Sequence, residues 1–568
     1  MSPIIQTHNP KESYPKVTYS HVVTVDAPAK LVYTAGQVGR DSTGYIPASY
    51  EEQVKLAYQN LGHCLAAVNA SPKDIVKLTY YIVNYDPNRR DVDVIVVGGG
   101  ISGLQAAYKV QEAGFSSIVL EARNRVGGKL LAVEIPEQVE GRGKKGGIDL
   151  GGAWINDSNQ SRAYSLAQRL GLDLIEQATD GDCIVQQSNG AVLRFPYGET
   201  PKISSKYQKE VGEIRDNVED ICHSVDDQNA VKYDGMNMED FVQTQGLGTV
   251  ALENVTLWTR AMLGCEPSEM SALYFLEYCR LGGGLKQMRS DRKHGGQFLR
   301  ARQGEKEHNP QSGLLSKIDY FSGMGRLAKG VESMLRPGSV ILNSPVSKVA
   351  QDSEKVVVTT DSGVQYRCKK LIFSLPTPLY KEVVFEPPLP SEKLNFSSST
   401  HLGYYTKVIL IYEKPWWKDH GLCGLTHSFK GPSSLTRDSS SPADNQYSLT
   451  CFVVGEPGRK WSTFSRPERH TQILEQVVSI YGPQLSEKAK MPLSILEQDW
   501  AQEQFSRGCP CPVTPPGVLS RLGGSLQASF ENIHFVGTET ARHWKGYIEG
   551  ALESGDRGAE EVIKLLKD

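Results

Sequence analysis

The chain has 568 residues, 39% of them hydrophobic, with a formal net charge of −3 and 10 cysteines. Its length suits about three domains of roughly 150 residues each. The near-balanced charge excludes a global basic field that would recruit nucleic acid or an anionic membrane, and the scattered cysteines are no disulfide framework but suit a reducing compartment.

The opening stretch MSPIIQTHNPKESYPK has neither the charged and apolar regions of a secretory signal nor the Arg-rich pattern of a transit peptide. No run reaches the ~18 consecutive apolar residues that span a bilayer. The expectation is a soluble, cytoplasmic protein with no transmembrane anchor. HVVTVD and LVYTAGQV are short β-branched runs joined by a Pro-containing turn and predict a strand pair. Val54, Tyr58, Leu61, Leu65 and Val68 then recur at helical spacing, with Ser49 as a cap. IVKLTYYIV predicts a strand, so residues 1–88 read β-β-α-β, and PNRR reads as a linker.

From Asp91, DVDVIVVGGGISGLQAAYKVQEAGFSSIVLEAR predicts a buried strand, a glycine turn, a helix and a second strand. Gly98, Gly100 and Gly103 form GxGxxG directly after the first strand. The first glycine makes the tight turn, the second lets backbone approach a pyrophosphate, and the third lets helix and strand pack. The helix N-terminus then faces phosphates with its dipole and free N–H groups. Glu121, 18 residues past Gly103, ends the second strand as the acid that holds a ribose hydroxyl.

Residues from about 180 to 325 are predicted helix-rich, and 340–376 a run of strands with tight turns. KGPSSLTRDSSSPADNQYS, residues 430–448, is polar and Ser/Pro-rich and predicts a mobile surface loop. SRGCPCPVTPPG sets Cys509 and Cys511 around a proline, beside Gly508, in a segment too Pro-rich for a helix. IHFVGTE predicts a strand whose end, Gly537, Thr538 and Glu539, returns to the cofactor, and a helix follows. The His residues are scattered and no CxxC pair exists, so neither a Ser/His/Asp set nor a metal cluster is expected.

Residues from about 92 to 565 resemble the flavin monoamine oxidase family. The resemblance runs through VGGGISGL, LEARNRVGGK, DLGGAWI, SALYFLEYCRLGGG, FEPPLP, TKVILIYEKPWW, DWAQEQFSRGCP and FVGTETARHWKGYIEGALESG. It implies the amine oxidase fold, α/β and α+β in class. A Rossmann-type FAD-binding domain (92–180, 321–380 and 499–568) is interleaved with a substrate domain (181–320 and 381–498). It implies FAD contacts at Gly98, Gly100, Ile101, Ser102, Gly103, Glu121, Ala122, Arg123, Gly128, Lys129, Gly537, Thr538 and Glu539, with the backbone of Val346 at the adenine. The family's flavin-linking cysteine matches Cys509, whose thiolate is a competent nucleophile at the flavin 8α carbon. Lys407 matches the lysine that holds a water near flavin N5, and Trp500 packs beside the flavin. Gln297, Phe452 and Val454 match the lining of the substrate cavity, and Tyr547 matches one of two rings that face each other before the flavin. The other ring falls on Pro510, so half of that cage is missing and a small aromatic amine is not the expected preferred substrate.

The implied reaction oxidises an amine to an imine, which water converts to aldehyde and ammonia, while O2 becomes H2O2. An L-amino-acid or polyamine oxidase is the alternative within the fold. An arginine near the flavin would mark the first and an acidic tunnel the second, and the sequence shows neither. A catalytically impaired flavin-binding interaction protein is the alternative of another class; Pro510 speaks for it, and Lys407, Tyr547 and the intact glycine turn speak against it. Residues 304–320 exceed the family pattern and read either as an inserted loop at the entrance or as an error in the predicted gene.

Residues 20–85 resemble the Rid (YjgF-like, reactive intermediate deaminase) family through LVYTAGQVG, EEQVKLAYQNL and DIVKLTYYIV. That family forms trimers and hydrolyses reactive imines and enamines. The resemblance stops near Tyr85, without counterparts for the family's second helix, last strands or substrate-binding arginine. Imine hydrolysis by this truncated module is therefore not expected. The module reads as a remnant that packs on the oxidase or mediates oligomer formation, because a half-fold leaves a sheet edge in need of a partner.

Overall fold

The computed structural model describes residues 4–8, 22–26, 31–47, 50–75, 77–78, 91–136, 139, 146–302 and 323–568. They form two compact units divided between Arg89 and Arg90. In the first unit, β1 (Ile4–His8), β2 (Val22–Asp26) and β3 (Leu31–Thr34) make an antiparallel sheet in that order. The β2–β3 pair follows the sequence reading; β1 does not. It sits in the opening stretch, for which the sequence reading named no element, and it pairs with a strand about twenty residues away, Ile4 opposite Asp26 and Ile5 opposite Val25. Helix α1 (Tyr50–Ala66) follows, and Val22, Cys64 and Val68 form a small core. Most of the predicted strand IVKLTYYIV lies outside the described residues. The described Ile75, Lys77 and Leu78 belong to no strand.

The second unit contains two large sheets. The first has eight strands and is built around β4 (Asp91–Val97), which pairs in parallel with β5 (Ser117–Leu120) on one side and with the Gln365–Phe373 strand on the other. The parallel Ile533–Phe535 strand joins the same sheet from far along the chain. Helix α2 (Ile101–Glu112) crosses from β4 to β5 and buries Leu104, Ala107 and Val110 against Val94, Val96 and Val119. The last helix, α3 (Ile548–Lys567), lies against α2 and adds Leu552, Ala559 and Val562 to that core. Two glycines set these distances. A Cβ at Gly103 would meet Gly98 O at 2.0 Å, and one at Gly555 would meet Ser102 O at 2.5 Å.

The second sheet has seven strands, ordered Val192–Pro196, Asp182–Gln186, Leu422–Ser428, Ser433–Asp438, Tyr447–Val454, Tyr405–Tyr412 and Ser494–Asp499. A helical layer built from Ser205–Ser224, Thr249–Leu263 and Ala272–Leu281 buries Trp258, Tyr274, Phe275 and Tyr278. The helix-rich reading of 180–325 holds for this layer, with two strands ahead of it.

The predicted loop at 430–448 is corrected by the structure. Ser433–Asp438 is an interior strand of the seven-stranded sheet, and Ser433 to Leu435 are buried on it. Its hydroxyls are satisfied from within. Thr436 Oγ1 pairs with Thr426 Oγ1 at 2.9 Å, and Gln476 accepts from Ser433 N at 2.8 Å and donates to Ser433 O at 2.7 Å. A polar stretch buries without penalty when each donor and acceptor finds a partner. No helix among the described residues is long and apolar enough to cross a membrane. The span 304–320 lies outside the described residues.

Candidate active site

A cavity of about 490 Å³ runs through the second unit. At one end lie the glycine turn and the C-terminal edge of the eight-stranded sheet: Gly98, Gly100, Ile101, Ser102, Glu121, Ala122, Arg123, Gly128, Lys129, Val346, Gly537, Thr538 and Glu539 all line it. Gly98 has φ +103°, and a Cβ there would lie 2.9 Å from Ser374 O, so only glycine makes this turn. A Cβ at Gly100 would meet nothing within 4 Å, so backbone alone faces the open space there. Glu121 accepts from Gly99 N at 2.6 Å and from Arg123 N at 2.9 Å, which fixes the carboxylate beside the turn. Glu539 accepts from Thr377 N at 2.9 Å. Gly103 does not line the cavity; it serves the contact of helix with turn described above.

The other end is floored by one face of the seven-stranded sheet. His427 stands opposite Leu435, Leu435 opposite Phe452, and Phe452 opposite Lys407. Opposed residues share a face, and all four line the cavity together with Tyr405 and Arg437, each two residues along its strand. Lys407 is buried. Its ammonium donates to Gly151 O at 2.5 Å and lies 5.0 Å from the Trp154 ring and 5.7 Å from the Phe452 ring. Burial pulls its pKa down to about 8, against the smaller opposing charge of Asp149. Trp500 is buried beside it and donates to Leu150 O at 3.1 Å. Tyr547 packs edge-on against Trp544 with centroids 4.8 Å apart, and burial pushes its phenol up to about 12.

The two cysteines of the CPC segment separate. Cys509 lines the cavity; Cys511 is fully buried away from it, 3.6 Å from the Tyr274 hydroxyl. Burial raises the Cys509 thiol, and the charges of Lys129 and Lys407 oppose the rise. Lys129 also donates to Pro510 O at 2.9 Å, tying this loop to the segment after the glycine turn.

A family model described as flavin containing amine oxidoreductase matches residues 101–563. The chain belongs to this family. It is an FAD-dependent oxidoreductase acting on amines. The oxidase is 28% identical over 481 residues to a probable flavin-containing monoamine oxidase A of Dictyostelium discoideum, covering 84% of this chain and 98% of that one. It is 29% identical over 482 residues to the flavin-containing amine oxidase B of Homo sapiens, covering 84% and 86%. Among solved structures, a putrescine oxidase superposes with TM-score 0.74 at 25% identity, covering 84% of this chain and 99% of that one. The cyclohexylamine oxidase of Brevibacterium oxydans has the same fold, with TM-score 0.74, 24% identity, and coverage of 84% and 100%. A second family model, endoribonuclease L-PSP, matches residues 10–96, the Rid-like region.

Of the residues singled out from the oxidase's sequence, Gln297, Phe452, Lys407, Trp500, Cys509 and Tyr547 meet in one cavity. Val454 does not line it. It is buried opposite Tyr405 in a cluster with Leu435 and Phe452, so it supports the lining from behind. Sequence reasoning missed Trp154, Tyr278, Arg289, Tyr405, His427 and Arg437, all of which line the cavity. Trp154 stood in the quoted DLGGAWI motif, and Arg437 in the stretch mistaken for a loop. Two groups with metal-ligand chemistry, Glu219–Cys222–His223 and Cys265–Glu269–His401, lie off the cavity lining. Glu269 is already engaged by Arg459 at 2.6 Å.

Proposed function

We propose that the oxidase binds FAD along this cavity and oxidises an amine at the end floored by Lys407, with Tyr547 against the substrate. The observation that carries the reading is the continuity of one cavity from the open backbone at Gly100 to the buried ammonium of Lys407. The residues fit the cofactor: a side-chain-free turn at a helix N-terminus suits a pyrophosphate, and Glu121 suits a ribose. Gly128, Lys129, Val346 and the 537–539 turn are assigned to the same group. Residues 92–180, 321–380 and 499–568 are assigned to FAD binding, and 181–320 and 381–498 to the substrate side. The strands of the two sheets fall largely within those bounds, with the Val384–Glu386 strand of the first sheet just beyond them.

When bound, FAD would supply the two-electron oxidation of the amine to the imine, with O2 as the final oxidant, reduced to H2O2. The chain does the rest. Lys407 holds a water through its ammonium, anchored on Gly151 O. Tyr547, Phe452 and Gln297 orient the amine, and the apolar lining excludes bulk water, which strengthens every polar contact inside. Water then hydrolyses the imine to a carbonyl compound and ammonia.

Cys509 is proposed as the covalent attachment point. The thiol and the 8α methyl would each give up a proton, the sulfur would bond to the 8α carbon in place of the broken C–H bond, and the two electrons this leaves on the ring system would pass with both protons to O2 as H2O2. Its place on the lining, against the buried Cys511, supports this. Acid precipitation should leave the yellow colour in the pellet, and Cys509→Ala should release it; a yellow supernatant from the unaltered protein contradicts the linkage. A cytoplasmic setting is supported by the ten cysteines, none of which forms a disulfide. Association of chains through the N-terminal unit is supported by the exposed Leu31 and Tyr33 on β3; a monomer by light scattering contradicts it.

The reaction is tested by incubating the yellow protein with a panel of amines in air. Amine-dependent H2O2, matched one to one by ammonia, is the expected result. Peroxide that does not depend on any amine would remove the assignment.

A further inference from the structure

Two arginines line the amine end of the cavity, and among the described residues only one of them has a counter-ion. Arg437 forms an ion pair with the buried Asp291, whose other oxygen accepts from the Tyr197 hydroxyl at 3.1 Å. Arg289, at the end of the short Leu285–Met288 helix, lies with its guanidinium 5.2 Å over the Trp258 ring. Among the described residues no carboxylate lies within ion-pair distance of it; Arg437 and Arg215 bear on it as like charges, beside Tyr197 and Cys279. Burial, with Arg437 adding to it, draws the guanidinium down to about 10. His427 adds no further positive charge, because burial holds it neutral with a pKa near 3.

The same cavity lining includes the apolar or neutral Leu257, Met262, Tyr278 and Met288. The carboxylates that line the cavity belong to its other end or are engaged there. Glu121 holds the glycine turn, Glu539 holds Thr377, Glu382 pairs with Arg507 at 2.7 Å, and Asp361 lies beside Pro345, its N–H donating to Pro345 O at 2.9 Å. A half-buried cation with no ion-pair partner in a largely apolar wall favours an anion that enters with the substrate. The guanidinium fork matches a carboxylate in particular.

We propose that the substrate is an amine that also bears a carboxylate, and that Arg289 binds that carboxylate while the amine lies toward Lys407 and Tyr547. The proposal rests on the amine-oxidase reading of the same cavity. It separates substrate classes by charge. An amino acid enters as a neutral pair of charges; a diamine or polyamine brings a second ammonium toward Arg289 and Arg437, where no unpaired acidic side chain among the described residues receives it. Arg437, neutralised by Asp291, positions the floor through its contact with Trp154, 5.9 Å from the ring centroid.

The test titrates the flavin absorbance of the holoenzyme with benzoate, a carboxylate that carries no amine to oxidise, and with benzamide, its uncharged match. Wild type should bind benzoate about tenfold or more tightly than benzamide, as one charge-assisted pair implies. Arg289→Met should lose that preference, and Arg289→Lys should keep part of it at the same flavin content. Equal binding of the two probes, or a preference that survives in Arg289→Met, overturns the proposal. Anaerobic reduction by leucine and by isopentylamine gives a second arm. Leucine should reduce the wild-type flavin at the lower concentration, and the order should reverse in Arg289→Met. A wild-type preference for isopentylamine contradicts the proposal. Selective benzoate binding without reduction by either compound would instead strike the oxidation reading and leave the anion site standing, so the two failures are distinct.

Discussion

At the scale of single residues, the account rests on Lys407. A lysine inside an apolar strand keeps its charge only where acceptors and rings surround it, and here Gly151 O, Asp149 O, Trp154 and Phe452 do so. Lys407→Met keeps the volume and removes the ammonium, so flavin reduction or reoxidation should slow by roughly tenfold or more; unchanged rates in stopped flow would remove its role. Its pKa near 8, against an ordinary 10.5, has a second consequence. Between those values the unfolded chain carries a proton that the folded protein does not, so this residue adds stability as pH rises through the window. The Tm of the wild type relative to Lys407→Met should therefore climb from pH 8 to 10; a flat difference contradicts the depressed pKa. Lys407 was legible from sequence because a charge in YYTKVILIY has no innocent reading. Arg289 was not, because MRSDRKHGG offers two arginines, a lysine and a histidine and only the fold selects the one that turns inward.

At the scale of elements, the glycine turn and the sheet face show opposite degrees of legibility. GxGxxG, the strand before it and the helix after it are local, so β4, α2, β5 and Glu121 stand where the spacing put them. Gly103→Ala would push a methyl to 2.0 Å from Gly98 O. The helix must then lift from the turn, and the purified variant should lose most of its flavin; full flavin content would show that this contact does not matter. The strand at Ser433–Asp438 was hidden because Ser, Thr and Pro also make loops, and the groups that satisfy its backbone, the two flanking strands and Gln476 at Ser433, lie elsewhere in the chain. Gln476→Leu leaves the Ser433 N–H and the Lys430 and Ser433 carbonyls without that partner. It should cost roughly 2–4 kcal/mol in urea unfolding, and a loss below about 0.5 kcal/mol would mean the strand is not held this way. Arg437 and His427 reach the cavity only because this strand and its neighbour exist, which is why neither was foreseen.

At the scale of the whole molecule, every lining residue of the cavity lies between Val97 and Ala551, inside the second unit. Removing residues 1–89 should therefore leave amine-dependent flavin reduction within about twofold, by the rule that well-separated changes do not couple. Loss of reduction with flavin still bound would give the Rid-like unit a part in catalysis. That unit also marks the limit of the sequence reading. Its strand pair and helix were legible from local patterning, whereas β1 depends on a pairing across a long connection. The central claim concerns the second unit: this chain oxidises an amine on a bound flavin. The most direct measurement mixes the purified holoenzyme, without oxygen, with amino acids, monoamines and polyamines while the flavin absorbance near 450 nm is followed. The account predicts bleaching by an amine class, fastest with amines that carry a carboxylate, and full recovery of colour when O2 is admitted. A flavin that dithionite reduces but that no amine bleaches would contradict it.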